Sequence, residues 1–62
     1  MKTVPIAAVK VGNKVLGPRH EYTIVYFRVN PDGTVYYKAW DDTFRQYICA
    51  TVNPDVEVVF LE

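Results

Sequence analysis

Val29-Asn30-Pro31-Asp32-Gly33-Thr34-Val35 is the stretch that decides the fold of this chain. Asn30, Pro31 and Gly33 occupy the first, second and fourth positions of the turn, a pattern typical of a type I turn closed by a glycine bulge. Proline presets φ, and glycine adopts a positive φ without a Cβ clash. The stretch therefore predicts a β-hairpin in which Asn30 lies opposite Thr34.

Counting outward from this turn predicts the register of the hairpin. Val29 pairs with Val35, and the pairs continue outward to Ile24 with Trp40. Side chains alternate between the two faces along a strand. One face is predicted to be core and collects Val25, Phe27, Val29, Val35, Tyr37 and Ala39. The other face collects Tyr22, Ile24, Tyr26, Arg28, Tyr36, Lys38 and Trp40.

Length and composition predict a small folded domain. A chain of 62 residues makes one domain and buries only about 60% of its unfolded surface. Half of its residues are hydrophobic and 15% are aromatic, which favours a folded globule over disorder. Seven basic and seven acidic residues leave no net charge, so the bulk attraction of a nonspecific nucleic-acid binder is missing.

Few residues of this chain are suited to catalysis or to metal binding. It has no Ser, one Cys and one His, and nothing in the sequence brings Cys49 and His20 together. One Cys and one His exclude an intramolecular disulfide and a zinc site. We expect no enzyme, no metal and no cofactor. A lone Cys, with no apolar run typical of a signal peptide or a membrane span, predicts a cytoplasmic protein.

Apolar runs and turn residues predict five strands after an N-terminal segment. Pro5 makes residues 1–8 an extended lead-in or an edge strand rather than a helix. No segment sustains a helical period, so strands at this spacing favour a small barrel over residues 9–61, in which each strand neighbours the next. Closure would protect the edges, whereas an open sheet with an exposed last strand would invite pairing with another chain. The predicted strands are Val9–Leu16 with a kink at Gly12, Tyr22–Val29, Val35–Trp40, Phe44–Val52 and Val56–Leu61.

The first predicted strand opens with Val11-Gly12-Asn13-Lys14-Val15, and a helical turn is expected before the last strand. In this opening and in strand count the chain resembles the SH3-like barrels. The likeness is greatest to Tudor-type and short bacterial members that open with Val-Gly-Asp-Lys-Val. The resemblance covers about fifty residues, Val9 to Leu61, and implies a five-stranded SH3-like barrel.

Resemblance to Tudor-type domains also implies a secondary candidate site. That family binds methylated Lys or Arg in an aromatic cage between loops, and aromatic faces attract such cations by about 0.5–2 kcal/mol each. The residues at the matching positions are Tyr22, Trp40 and Phe44, with Asp41 or Asp42 to complement the cation. Adjacent carboxylates in a turn are also explained by turn chemistry alone. The loop Gly17–Glu21 departs from the family by contributing no aromatic residue.

The outer face of the predicted hairpin is the main candidate binding surface. Aromatic residues and Arg are enriched in protein interfaces, so we expect a non-catalytic module that binds a protein partner. Such a module is a complex component, a stoichiometric inhibitor or a small phage or plasmid regulator. Self-association, through this face or through the N-terminal segment that contains Pro5, is another option. The contact residues are Tyr26, Arg28, Tyr36, Lys38 and Trp40, with Trp40 as anchor.

Two alternatives use the same residues. Single-stranded nucleic acid would stack its bases on the aromatic rings while Arg28 and Lys38 meet phosphates. In the other alternative, strong curvature of the barrel folds Tyr22, Ile24 and Trp40 into the core and leaves only Tyr26 and Tyr36 exposed.

Overall fold

The protein is all-β in a computed structural model that describes residues 2–17 and 20–61. Its strands are β1 (Lys2–Pro5), β2 (Lys14–Leu16), β3 (Glu21–Val29), β4 (Val35–Asp41), β5 (Gln46–Val52) and β6 (Glu57–Phe60), with a 3-10 helix at Ile6–Ala8. This confirms the predicted all-β class. Within the described residues, no helix combines the length and apolar character needed to cross a membrane.

The six strands form one antiparallel sheet in the order β1-β6-β2-β3-β4-β5. A closed barrel of the five predicted strands would require the last strand to pair with both its first and fourth strands. Here β6 pairs with β2 on one side and with β1 on the other, so neither of its edges is left for β5. The sheet is therefore open, and it has six strands instead of five.

The hairpin turn forms as the sequence predicts. The Asn30 amide donates to the Thr34 carbonyl at 2.8 Å, and the Gly33 amide donates to the Asn30 carbonyl at 2.9 Å. Gly33 has φ +90°, as a glycine bulge needs. Outward from the turn, the predicted pairs hold from Val29 with Val35 to Tyr26 with Lys38.

Beyond Tyr26 the predicted register is wrong because β3 contains a bulge at Val25. Ile24 pairs with Ala39 instead of Trp40, and Thr23 takes the position opposite Trp40. Ile24 accepts a hydrogen bond from the Gly12 amide at 2.7 Å and donates one to the Asn13 carbonyl at 2.9 Å. An extra residue on one strand reverses the facing of all residues that follow it.

The bulge changes the membership of the core. Ile24 is buried, and Tyr22 packs against the core, although both were predicted on the outer face. Val25 is 37% exposed and Val29, at the hairpin tip, is 59% exposed, so their predicted burial is wrong. The side chains that form the buried core are Ile6, Val9, Val15, Ile24, Val35 and Ala39.

The N-terminal segment is more structured than a lead-in. Lys2–Pro5 is an edge strand, one of the two predicted options, but residues 6–8 turn into a 3-10 helix. The Ile6 amide donates to the Val56 carbonyl at 2.7 Å, which holds the fully buried Ile6 side chain in the core.

Two predicted strands begin two or more residues later than expected, because turns occupy their first residues. The Asn13 amide donates to the Lys10 carbonyl in a turn, so β2 starts at Lys14 and Val11 is exposed. A second turn covers residues 42–45, so β5 starts at Gln46 instead of Phe44. Before β6, the Val56 amide donates to the Asn53 carbonyl in a single hydrogen-bonded turn.

We expect Gly33→Ala to lower the free energy of unfolding by about 1–2 kcal/mol. No atom lies within 4 Å of the place where a Cβ would sit, so the whole effect comes from the positive φ. D-alanine favours positive φ, and a synthetic chain with D-alanine at position 33 is the matched control. Denaturant unfolding should show D-alanine at least as stable as Gly33; equal losses for both alanines would contradict the turn.

A second prediction concerns the acid stability of the same turn. Hydrogen bonds from the Thr34 hydroxyl and the Thr34 amide lower the pKa of Asp32. A lowered pKa stabilises the fold at pH above the ordinary Asp value, and this contribution is lost as pH falls through the lowered pKa. Unfolding measured from pH 7 downward should therefore show a smaller acid loss for Asp32→Asn. Identical acid dependence in both proteins would contradict the prediction.

Candidate functional site

The outer face of β3, β4 and β5 presents the predicted contact residues together. Tyr26 and Arg28 lie on β3, and Tyr36, Lys38 and Trp40 alternate along β4. Tyr26, Arg28, Tyr36 and Lys38 also line an open groove of about 640 Å³ on this face. We call these residues, with Tyr47 of β5, the aromatic-basic face.

Aromatic rings on this face meet edge to face. The Tyr26 and Tyr36 centroids are 5.9 Å apart with the rings inclined at 65°, and those of Trp40 and Tyr47 are 4.9 Å apart at 68°. This is the favoured geometry of aromatic pairs, worth about 0.5–1.5 kcal/mol beyond the buried area. The rings therefore hold one another in place before any ligand arrives.

Both cations of the face are held over tyrosine rings. The Arg28 guanidinium carbon lies 5.3 Å from the Tyr36 centroid, and the Lys38 ammonium lies 4.7 Å from the Tyr47 centroid. The Arg28 Nε also donates to the Asn30 Oδ1 at 3.1 Å, which ties this side chain to the hairpin turn. Both charges are thus positioned by the sheet.

Charge is distributed unevenly, although the whole chain is neutral. The outward residues of β3 after the bulge, of β4 up to Trp40 and of β5 include two cations and no carboxylate. Strand alternation thus places two positive charges on this face and no negative charge beside them. The face therefore carries a local positive potential that the net charge of the chain does not reveal.

Sequence reasoning missed the contribution of β5. Tyr47 pairs with Trp40 and is 58% exposed, and Cys49 pairs with Lys38 on the same face. A hydrogen bond with Cys49 raises the pKa of Tyr36. The signal was available in the alternation of residues 46–52, but it could be used only once the register of β5 against β4 was known.

The secondary candidate site is assembled in part. Tyr22, Asp41 and Phe44 come together, but around His20 and not around Trp40, which lies on the aromatic-basic face. The His20 ring is 4.7 Å from the Phe44 ring and 6.1 Å from the Tyr22 ring. A cage of Tyr22, Trp40 and Phe44 is therefore not formed, because the bulge puts Tyr22 and Trp40 on opposite faces of the sheet.

Asp41 and Asp42 play different roles. Asp41 is buried, and its Oδ1 accepts hydrogen bonds from the Thr43 and Phe44 amides at 2.8 and 3.2 Å. Its Oδ2 lies 3.2 Å from His20 Nδ1. Asp42 is exposed in the turn. The carboxylate of Asp41 therefore holds two loops together, and both of its oxygens already have partners within the protein.

A pocket of about 430 Å³, partly open to solvent, lies on the inner face of the sheet. Its lining is mostly apolar and includes Ile6, Ile24, Tyr37 and Ile48. Burial, with Tyr22 nearby, raises the pKa of Tyr37, so this hydroxyl stays neutral. Within residues 2–17 and 20–61, no three His, Cys, Asp or Glu side chains cluster to hold a metal ion.

No family model, curated protein or solved structure matches this chain.

The different roles of the two acids give a stability prediction. We expect Asp41→Ala to cost about 1–2 kcal/mol of unfolding free energy, because two turn amides and His20 lose their acceptor. Asp41→Asn keeps one acceptor oxygen and should fall between Asp41→Ala and the wild type. The matched control, Asp42→Ala, should stay within about 0.5 kcal/mol. Thermal or urea unfolding checks this order; equal losses at positions 41 and 42 would contradict it.

Proposed function

We propose that this chain is a non-catalytic interaction module that binds a protein partner through the aromatic-basic face. The proposal is based on two edge-to-face aromatic contacts, Tyr26 with Tyr36 and Trp40 with Tyr47, on the outer face of the sheet. Two cations are held over these rings. Tyr, Trp and Arg are the residues that contribute most to protein interfaces. Rings held by one another lose little conformational entropy on binding, which favours affinity for a small surface.

The charge of the face defines the partner's chemistry. Two cations without a carboxylate favour a partner surface that combines acidic groups with an apolar patch. Arg28 and Lys38 would meet the acidic groups, and Trp40 with Tyr47 would meet the apolar patch. A component of a larger complex and a stoichiometric inhibitor of an enzyme both fit this description.

Single-stranded nucleic acid is the second candidate ligand. It is favoured because the aromatic-basic face carries no carboxylate that would repel phosphates. Base stacking needs an open ring face, as in the aromatic platforms of single-strand binders. Here Arg28 lies over the Tyr36 ring and Lys38 over the Tyr47 ring, and each aromatic pair meets edge to face. Because the cations cover ring faces that bases would use, a protein partner is the better match.

An SH3-like half-barrel, open between β5 and β6, is part of the same proposal. Strands β2 to β6 include every neighbour pairing of a five-stranded barrel except that between β5 and β6. This strand order supports an SH3-like half-barrel extended by β1 at one edge. The aromatic-basic face then lies on the outside of the β3-β4-β5 meander.

The proposal predicts the outcome of a pull-down with the tagged chain from native lysate, with and without nuclease. A captured protein should survive nuclease and moderate salt, because a desolvated aromatic interface responds weakly to salt. Trp40→Ala and Tyr47→Ala should each weaken binding by roughly tenfold or more, the size expected of an interface hot spot. Arg28→Ala with Lys38→Ala should weaken it less.

The matched control is Phe44→Ala, which removes an aromatic side chain that is 62% exposed but lies off the aromatic-basic face. It should bind as the wild type does, and circular dichroism should show that all variants are folded. Recovery that nuclease abolishes, with a steep salt dependence and complete loss in the double Arg28 and Lys38 variant, would move the function to nucleic acid. Equal losses for Phe44→Ala and Tyr47→Ala would contradict the proposed face.

A further inference from the structure

The outer edge of β5 has no strand beside it in the part of the chain that the structure describes. β5 ends the sheet and pairs only with β4, over seven residues and without a register shift. In an edge strand, the amide and carbonyl groups of every second residue point away from the sheet and remain free to pair with another strand.

Common protections of an edge strand are missing from β5. Its sequence, Gln46-Tyr47-Ile48-Cys49-Ala50-Thr51-Val52, contains no charged residue and no Pro. The other edge of the sheet, β1, has only four residues and carries both Lys2 and Pro5. Charge, Pro and shortness all discourage pairing at an edge, so β5 is the edge that favours another strand.

We infer that β5 pairs with β5 of a second copy of this chain, antiparallel across a two-fold axis at Cys49. This register joins the two sheets and is self-complementary in size. Tyr47 lies opposite Thr51 of the other copy on the outer face, and Ile48 lies opposite Ala50 of the other copy on the inner face. In these two pairs a large side chain meets a smaller one, and the absence of charge in β5 removes any repulsion between identical strands.

The paired strands place the two Cys49 residues directly opposite each other. Opposed residues of antiparallel strands have Cα atoms about 4.5–5.5 Å apart, within the range that a disulfide spans. Cys49 is exposed, so its thiol is a reporter of the interface. Self-association at this edge is a separate property from the proposed partner binding, and it can hold or fail independently.

Sedimentation velocity under reducing conditions tests the association. The wild type and Cys49→Ser should both dimerise as concentration rises. Within one chain position 49 lies opposite Lys38, so Cys49→Glu should fold well, whereas in the dimer two carboxylates face each other. We expect this variant to dissociate with a roughly fivefold or greater increase in Kd. A wild type that stays monomeric up to about millimolar concentration, the weakest range of specific affinity, would overturn the inference.

Disulfide trapping tests the register. Diamide accepts two electrons and two protons from each pair of thiols as the S–S bond forms. It should cross-link wild-type copies through Cys49, and an equal mixture of Tyr47→Cys/Cys49→Ser with Thr51→Cys/Cys49→Ser should form the mixed disulfide. Tyr47→Cys/Cys49→Ser alone should not cross-link, because four residues of strand separate the two thiols by about 13 Å. Equal cross-linking in all three would overturn the register. A chain that stays monomeric and whose Cys49 forms a disulfide with a different protein would overturn the dimer and assign the β5 edge to a strand of that protein.

Discussion

The hydrogen bonds of Ile24 decide which side chains this protein buries and which it presents. Both its amide and its carbonyl are bonded to the Gly12-Asn13 segment, and the bulge at Val25 follows next in the strand. On the hairpin side of the bulge, the register set by the Asn30–Thr34 turn sends Tyr26 and Arg28 outward. On the other side, the shifted register turns Ile24 and Tyr22 inward to the core, and leaves Trp40 outside. The aromatic-basic face and the buried core are two results of one backbone arrangement.

The second constraint is the occupation of both edges of β6. Since β1 pairs with one edge and β2 with the other, β6 cannot close the sheet onto β5. The 3-10 helix that follows β1 supplies Ile6 to the core, so the same N-terminal segment both seals the interior and keeps the sheet open. An open sheet gives the molecule two distinct surfaces, the outer face and the free edge of β5, which meet at Tyr47 and Cys49.

Local chemistry made part of this structure predictable. Pro31 and Gly33 have strong conformational preferences, so the turn and the first four pairs of the hairpin followed from sequence. The bulge could not be predicted, because it accompanies a tertiary pairing between Ile24 and a segment eleven to twelve residues earlier. An alternating pattern of residues does not indicate such a pairing. For the same reason Tyr22 and Trp40 were placed on one face, and the role of Tyr47 was missed. His20 contacts Asp41 and Phe44 from another loop, and nothing in the sequence predicts these contacts. The five predicted face residues lie together because four of them are on the hairpin side of the bulge and Trp40 is on the unshifted strand.

Site-specific photocross-linking tests the central claim, that the outer face of β3 to β5 is a protein-binding surface, most directly. Benzoylphenylalanine would replace Tyr26 or Tyr47 on that face, and Phe44 or Val56 elsewhere on the surface, since all four side chains are exposed. Irradiation in native lysate should yield the same partner adduct from positions 26 and 47, apart from any adduct between two copies of this chain at position 47, and no partner adduct from positions 44 and 56. Adducts from positions 44 and 56 alone, or equal adducts from all four positions, would contradict the claim.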